Sequence, residues 1–260
     1  MHADQRRSSM SERAKFDGLA SDYDRYRPRY PSELAEVVFT NRTEGVRVAD
    51  VGAGSGIALE WALPALVDPE VFAVEPSTDM IESGRLKFPD VTWLQGRGED
   101  ILPTLSALDV VIAAQAYQWF DRPAFLRAAR TTLRPGGRVA IIQNNRNHTS
   151  SEFLDAYESL LEENSPGYTR GYRDIDIAAE LATGFDTDPA HVTVSVSDWD
   201  RTMSVDDFVG MSASSTQAQR AVSAKGERFL DDVRSLAGNF AEDETLQVPY
   251  RTELFVVDKP

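Results

Sequence analysis

The chain has 260 residues, 42 of them acidic and 27 basic, and its formal net charge of −15 disfavours a nucleic-acid partner, because so negative a surface repels phosphate unless its basic side chains are segregated. The absence of cysteine removes disulfides, thiolate metal sites and a thiol nucleophile together, and fits a reducing cytoplasm. No apolar run reaches the roughly 18 residues of a membrane span, and the opening "MHADQRRSSMSERAK" lacks the apolar core of a signal peptide.

The first 31 residues carry seven Arg/Lys against five Asp/Glu, which suggests either an anion-handling segment or a solvated arm. Residues 1–15 are expected to be a disordered arm, and 16–45 to form N-terminal lid helices. From residue 46 onward, apolar runs of strand length appear in turn: "VRVADV" (46–51), "EVFAVE" (70–75), "VTWLQG" (91–96), "LDVVIAAQ" (108–115) and "GRVAIIQ" (137–143). Between them, "SGIALEWALPALV", "STDMIESGRLKF" and "RPAFLRAARTTL" space their apolar residues by three and four. Strands buried on both faces read as continuous apolar runs, and intervening helices make parallel crossovers. A doubly wound α/β sheet follows. Ser77 and Asp121 are placed to cap the second and third of these helices.

Beyond the fifth strand the pattern changes. "SSEFLDAYESLLEE" and "IDIAAELATGF" read as helices around a Tyr/Arg-rich loop, "NSPGYTRGYRD", and this region, about 145–187, is expected to be a cap inserted into a domain spanning 46–260. "HVTVSVSDW" alternates as a strand and "RTELFVVD" supplies another, which makes the sheet seven-stranded and mostly parallel. A helical stretch runs between them from about Val205 to Ala237. Its Ser/Ala-rich part, "SASSTQAQRAVSAKG", reads as an exposed helix with a mobile joint or as a linker.

In such a sheet, ligands bind beyond the carboxyl ends of the strands, beside the turn after the first one. "VADVGAGSG" (48–56) stands there, and Gly52, Gly54 and Gly56 allow a ligand to lie against the chain. A dinucleotide fingerprint needs glycine at 57, where Ile57 stands, and the Asp50 carboxylate repels a pyrophosphate but suits a cationic amine. Glu75, at the end of the second strand, can accept from a ribose diol, and Asp100, after the third, from an exocyclic amine such as that of adenine. Each acid also has a plainer reading: Asp50 as a turn cap, Glu75 and Asp100 as capping or solvated carboxylates. Together the three describe S-adenosylmethionine better than NAD.

Several stretches in order, "FDGLASDYDRYRPRYP", "VADVGAGSG", "VEPSTDMI", "AAQAYQWFD", "LRPGGRVAII" and "VPYRTELF", resemble the class I S-adenosylmethionine-dependent methyltransferases, in the small-molecule branch that includes trans-aconitate methyltransferase-like enzymes. The resemblance implies a Rossmann-like methyltransferase fold with a helical cap. It also implies that Asp50, Gly52 and Gly54 hold the methionine part of the cofactor, Glu75 the ribose and Asp100 the adenine. Gln115 is then expected beside the methionine or sulfonium, with Tyr23 and Arg27 closing over it. Relatives often carry His before the Trp-Phe pair, where this chain has Gln118, so a proton-transfer role does not carry over to that position.

A carboxylate acceptor needs only positioning by Arg or Tyr, whereas a hydroxyl also needs a base. Trp119 at the mouth of the site, Arg146 after the fifth strand, and Tyr168, Arg170, Tyr172 and Arg173 of the cap loop are candidate substrate contacts. His148 is a candidate general base or a solvent-facing loop residue. No His or carboxylate spacing suggests a metal. The expected activity is methyl transfer from S-adenosylmethionine, with S-adenosylhomocysteine as product, to a small-molecule acceptor. Transfer to an oxygen of a carboxylate or hydroxyl is preferred to N- or C-transfer. The alternative is a protein that keeps the cofactor pocket for another reaction, or for none. A cytoplasmic monomer or homodimer, with neither nucleic-acid nor membrane partner, completes the expectation.

Overall fold

The computed structural model describes residues 24–172 and 174–260. The expected arm and the first part of the lid, including Tyr23, lie outside the described residues, as does Arg173. Five strands run parallel: β1 (Arg47–Val51), β2 (Glu70–Glu75), β3 (Thr92–Gln95), β4 (Leu108–Ala114) and β5 (Leu133–Arg146). The remaining two are β6 (Thr193–Ser204) and β7 (Thr245–Asp258), and β7 lies antiparallel between β5 and β6. Among the described residues the sheet has seven strands in the order β3-β2-β1-β4-β5-β7-β6. The doubly wound fold expected from the apolar runs is the one observed.

Alternate residues of the central strands face opposite layers. Val111 and Ala113 of β4, with Val139 and Ile141 of β5, pack under α5 (Arg122–Thr132) and α7 (Ile177–Phe185). Val110, Ile112, Ala140 and Ile142 pack on the other side, against α1 (Glu33–Phe39) and Trp61 of α2 (Ile57–Ala62). The helix starts expected at Ser77 and Asp121 are present: Ser77 accepts from the Met80 N–H at the head of α3 (Thr78–Lys87), and Asp121 from that of Ala124. A short helix, α4 (Gly98–Ile101), follows β3.

The cap differs from the expected 145–187 segment. A separate core joins α6 (Glu152–Asn164) to α8 (Val205–Ala213), α9 (Thr216–Lys225) and α10 (Arg228–Phe240), through Phe153, Tyr157, Phe208, Phe229 and Tyr250 of β7. Meanwhile α7 lies on the sheet, where Leu181 and Phe185 are fully buried. The apolar stripe of α7 suits either neighbour, so packing decides. The Ser/Ala-rich stretch forms α9, with the Ser215 side chain accepting from the Ala218 N–H and Gly226 ending it at φ 77°. Pro249 sits inside β7 where β5 ends; its carbonyl accepts from the Asn147 N–H, and the reciprocal bond, for which proline has no N–H, is missing only at this last rung of the β5–β7 ladder.

Candidate active site

Strand order reverses between β1 and β4, and the glycine loop leaves β1 at this point. Two of its glycines do different work. A Cβ on Gly52 would lie 2.5 Å from the Cβ of Ala116, so this position is closed by packing. Gly54 has φ +55° and nothing within 4 Å of where a Cβ would stand, so its open side is the cradle. Asp50 is 1% exposed, and neither carboxylate oxygen has a hydrogen-bond partner. Burial, reinforced by Glu75, pushes its pKa up to about 7. An orphaned carboxylate beside an open backbone cradle fits a ligand bearing a cationic amine.

Glu75 accepts from the Gly54 N–H at 2.9 Å through one oxygen and from the Ser77 N–H at 3.0 Å through the other. Burial raises its pKa against those bonds. It therefore shapes the loop, and the remaining lone pairs of its two oxygens suit a diol. Gln115 takes a left-handed backbone, φ +56°, at the end of β4, and its amide donates to the Asn144 carbonyl. Such a backbone in a residue other than glycine costs of order 1–3 kcal/mol and tends to cluster at functional sites. A cavity of about 50 Å³ is bounded by Asp50, Gly52, Gly54 and Gln115 together with Arg27 and Asn144.

The segment from Asp24 to Pro31 straps this cavity to the rest of the molecule. Asp24 lies 2.6 Å from Lys87 and accepts from the Ser55 hydroxyl at 3.3 Å, while Arg29 pairs with Glu60 at 2.6 Å. Trp61 donates to the Pro31 carbonyl, and Arg201 of β6 to that of Tyr26. The described part of the expected lid therefore rests on the glycine loop, α2 and β6 together.

A second cavity, of about 200 Å³, shares Arg27, Pro28 and Asn144 with the first. Arg146, His148, Tyr168, Arg170 and Tyr172 all line it, so five candidate acceptor residues are brought to one place. Arg146 donates to Glu158 at 3.0 Å, and the Tyr168 hydroxyl donates to the other Glu158 oxygen. Burial opposes the Arg146 charge, yet Glu158, followed by Tyr157 and Tyr250, outweighs it and holds the guanidinium above its ordinary pKa. Burial likewise opposes the Glu158 charge, but Arg146 and Tyr168 keep that carboxyl below the usual range. Arg170 bonds Glu162, Asp155 and Ser159, which fastens the cap loop to α6 and leaves little of its charge for a ligand.

Asp100 is exposed on α4 and Trp119 is 39% exposed on the turn after β4; neither lines these two cavities. Sequence reasoning missed Asn144, Glu158 and Tyr250. Asn144 is buried, donates to the Arg29 carbonyl and accepts from Thr252, which itself accepts from the Trp199 indole. Its signal was the abrupt polar run "QNNR" ending an apolar strand. Glu158 had none, because it reads as part of a helix pattern, and Tyr250 lies in "VPYRTELF", a stretch that carries the resemblance without assigning the tyrosine a role. Among the described residues no cluster of His, Asp and Glu is arranged to hold a metal ion.

A methyltransferase domain family matches residues 49–141. An uncharacterized methyltransferase of Mycobacterium tuberculosis is 26% identical over 240 residues, covering 91% of this chain and 92% of its own. Trans-aconitate 2-methyltransferase of Azoarcus sp. is 30% identical over 106 residues, 40% of this chain and 41% of that enzyme. Among solved structures, a putative type II methyltransferase from Anaeromyxobacter dehalogenans superposes with TM-score 0.67 at 22% identity, over 90% of this chain and 98% of that one.

Proposed function

The chain belongs to the class I S-adenosylmethionine-dependent methyltransferases, and from that premise we propose that its second cavity takes a small acceptor for O-methylation, with a carboxylate as the first choice. S-adenosylmethionine, when bound, supplies a methyl group on a positively charged sulfur. Asp50 is assigned to the amine of the methionine part, the Gly52–Gly54 backbone to its close approach, and Glu75 to the ribose. Asp100 is assigned to the adenine from outside the cavity lining. Gln115 and Arg27 are assigned to the methionine end, with Tyr23 closing over it.

One observation supports this reading most: the two cavities share the wall made by Arg27, Pro28 and Asn144, so an acceptor in the second lies next to a cofactor in the first. The second cavity is bounded by side chains of β5, β7, α6 and the cap loop, an enclosed setting that suits a small molecule. The protein's part in such a displacement is to align the oxygen and exclude water. Arginines and tyrosines along the wall favour an acid, and a relative named for trans-aconitate, itself an acid, agrees.

Turnover of methyl-labelled cofactor against panels of small carboxylic acids, phenols, alcohols and amines tests this proposal. Label should enter acids as base-labile esters; label confined to amines would overturn it. A second reading has a specific observation behind it, since His148 lines the same cavity and can take a hydroxyl proton. In that case His148→Gln would abolish transfer to alcohols, whereas transfer to acids should survive the substitution.

A further inference from the structure

The stretch "VPYRTELF" of β7 does not line the first cavity, yet its tyrosine lines the second. Strand register explains how it gets there. Tyr250 pairs with Arg146 of β5 on one side and with Trp199 of β6 on the other, and paired residues share a sheet face. The Trp199 and Tyr250 rings stack at 4.9 Å. Arg201, two residues beyond Trp199, projects from the same face. Two guanidinium groups from different strands thus flank one buried phenol, and Arg27 of the strap lines the same cavity.

The donors in this row are poorly used. The Tyr250 hydroxyl is 2% exposed as part of its residue and bonds the Met211 sulfur at 3.2 Å, a weak acceptor. Arg146 spends one amino group on Glu158 and buries its Nε without a partner. Arg201 donates to the Tyr26 carbonyl and to the Tyr250 hydroxyl oxygen, lines a neighbouring cavity that shares Arg27 with the second and, among the described residues, has no ion pair with a carboxylate. Two of the carboxylates lining the cavity are already neutralised, Glu158 by Arg146 and Glu253 by Arg251 at 3.8 Å. Burial holds the Tyr250 phenol above its ordinary pKa despite Arg146, Arg201 and Arg27, so it stays a donor.

We propose that Tyr250 and Arg146 form an anion-recognition subsite that binds a carboxylate of the acceptor, with Arg201, which lines the neighbouring cavity and bonds the Tyr250 hydroxyl, positioning the phenol. The proposal rests on reading the second cavity as the acceptor site. A phenol O–H and a planar guanidinium with an unused N–H suit a carboxylate.

The test titrates small mono-, di- and tricarboxylates, each beside its neutral amide, into protein saturated with S-adenosylhomocysteine. Wild type should bind at least one acid more tightly than its amide. Tyr250→Phe should weaken that acid about tenfold or more while leaving the amide and S-adenosylhomocysteine unchanged; Arg201→Gln, which also releases the Tyr26 carbonyl of the strap, should weaken the acid more than its amide, and Arg201→Lys should recover part of that loss. No acid binding by wild type, or an equal loss for acid and amide, overturns the subsite. Arg146 is left intact because its removal would strand Glu158. Label transfer to the same acids is scored separately: acids that bind through Tyr250 without being methylated would sink the carboxylate-transfer reading and leave the subsite standing.

Discussion

Asp50 is a buried carboxylate with both oxygens unbonded, and burial together with Glu75 moves its pKa from 3.8 to about 7. Between those values the folded protein keeps a proton that the unfolded chain releases, so raising pH favours unfolding. This contribution is fully present below about pH 4 and lost by about pH 7. An asparagine does not titrate. The melting-temperature advantage of Asp50→Asn over wild type, both free of cofactor, should therefore widen as pH rises from about 4 to about 7 and then level off. Calorimetry at pH 8 should show the same variant binding S-adenosylhomocysteine about tenfold or more weakly, since an amine loses its charged partner. A gap that does not change with pH would mean Asp50 has a partner in solution that compensates its burial.

Residues 24–31 act as one element, held to the glycine loop by Asp24 with Lys87 and Ser55, and to α2 by Arg29 with Glu60. The Asp24–Lys87 pair is about three-quarters buried on each side, so its loss should be felt more than that of an exposed pair. Asp24→Asn should speed hydrogen exchange across residues 24–31 and shorten the lifetime of bound S-adenosylhomocysteine, with the melting temperature nearly unchanged. Exchange by mass spectrometry reads the first effect and stopped-flow dissociation the second. Unaltered exchange would assign the anchoring to Trp61 and Arg201, which hold the Pro31 and Tyr26 carbonyls.

At the scale of the molecule, the last strand in sequence is an interior strand in space. β7 lies between β5 and β6, and it also lends Tyr250 and Val248 to the cap core. Deleting residues 245–260 would leave β6 without its sheet neighbour and open the side of β5. Because both cores lose buried apolar surface at once, the truncated chain should show no cooperative thermal transition by circular dichroism. A native-like transition would mean that the sheet through β5 folds alone and that β6, β7 and the cap form a separable unit.

The strands and the residues around the glycine loop were legible because both are local. Strands buried on two faces announce themselves as apolar runs, and Asp50, the glycines and Glu75 take their places from the strand ends that carry them. Apolar patterning could not tell whether α7 joins the sheet or the cap, since either would bury its stripe. Nor could local pattern bring Arg146 to Glu158 and Tyr250, or Asn144 to Thr252 across 108 positions. Those meetings depend on the register of β5, β7 and β6, where a slip of one residue would turn Tyr250 and Arg201 to the opposite face. The sequence by itself thus determined the fold class and the strand ends that bound the first cavity, through backbone preference and burial period. Only the tertiary structure decided what lines the second cavity, because that wall is assembled from side chains whose neighbours are set by strand pairing between distant segments.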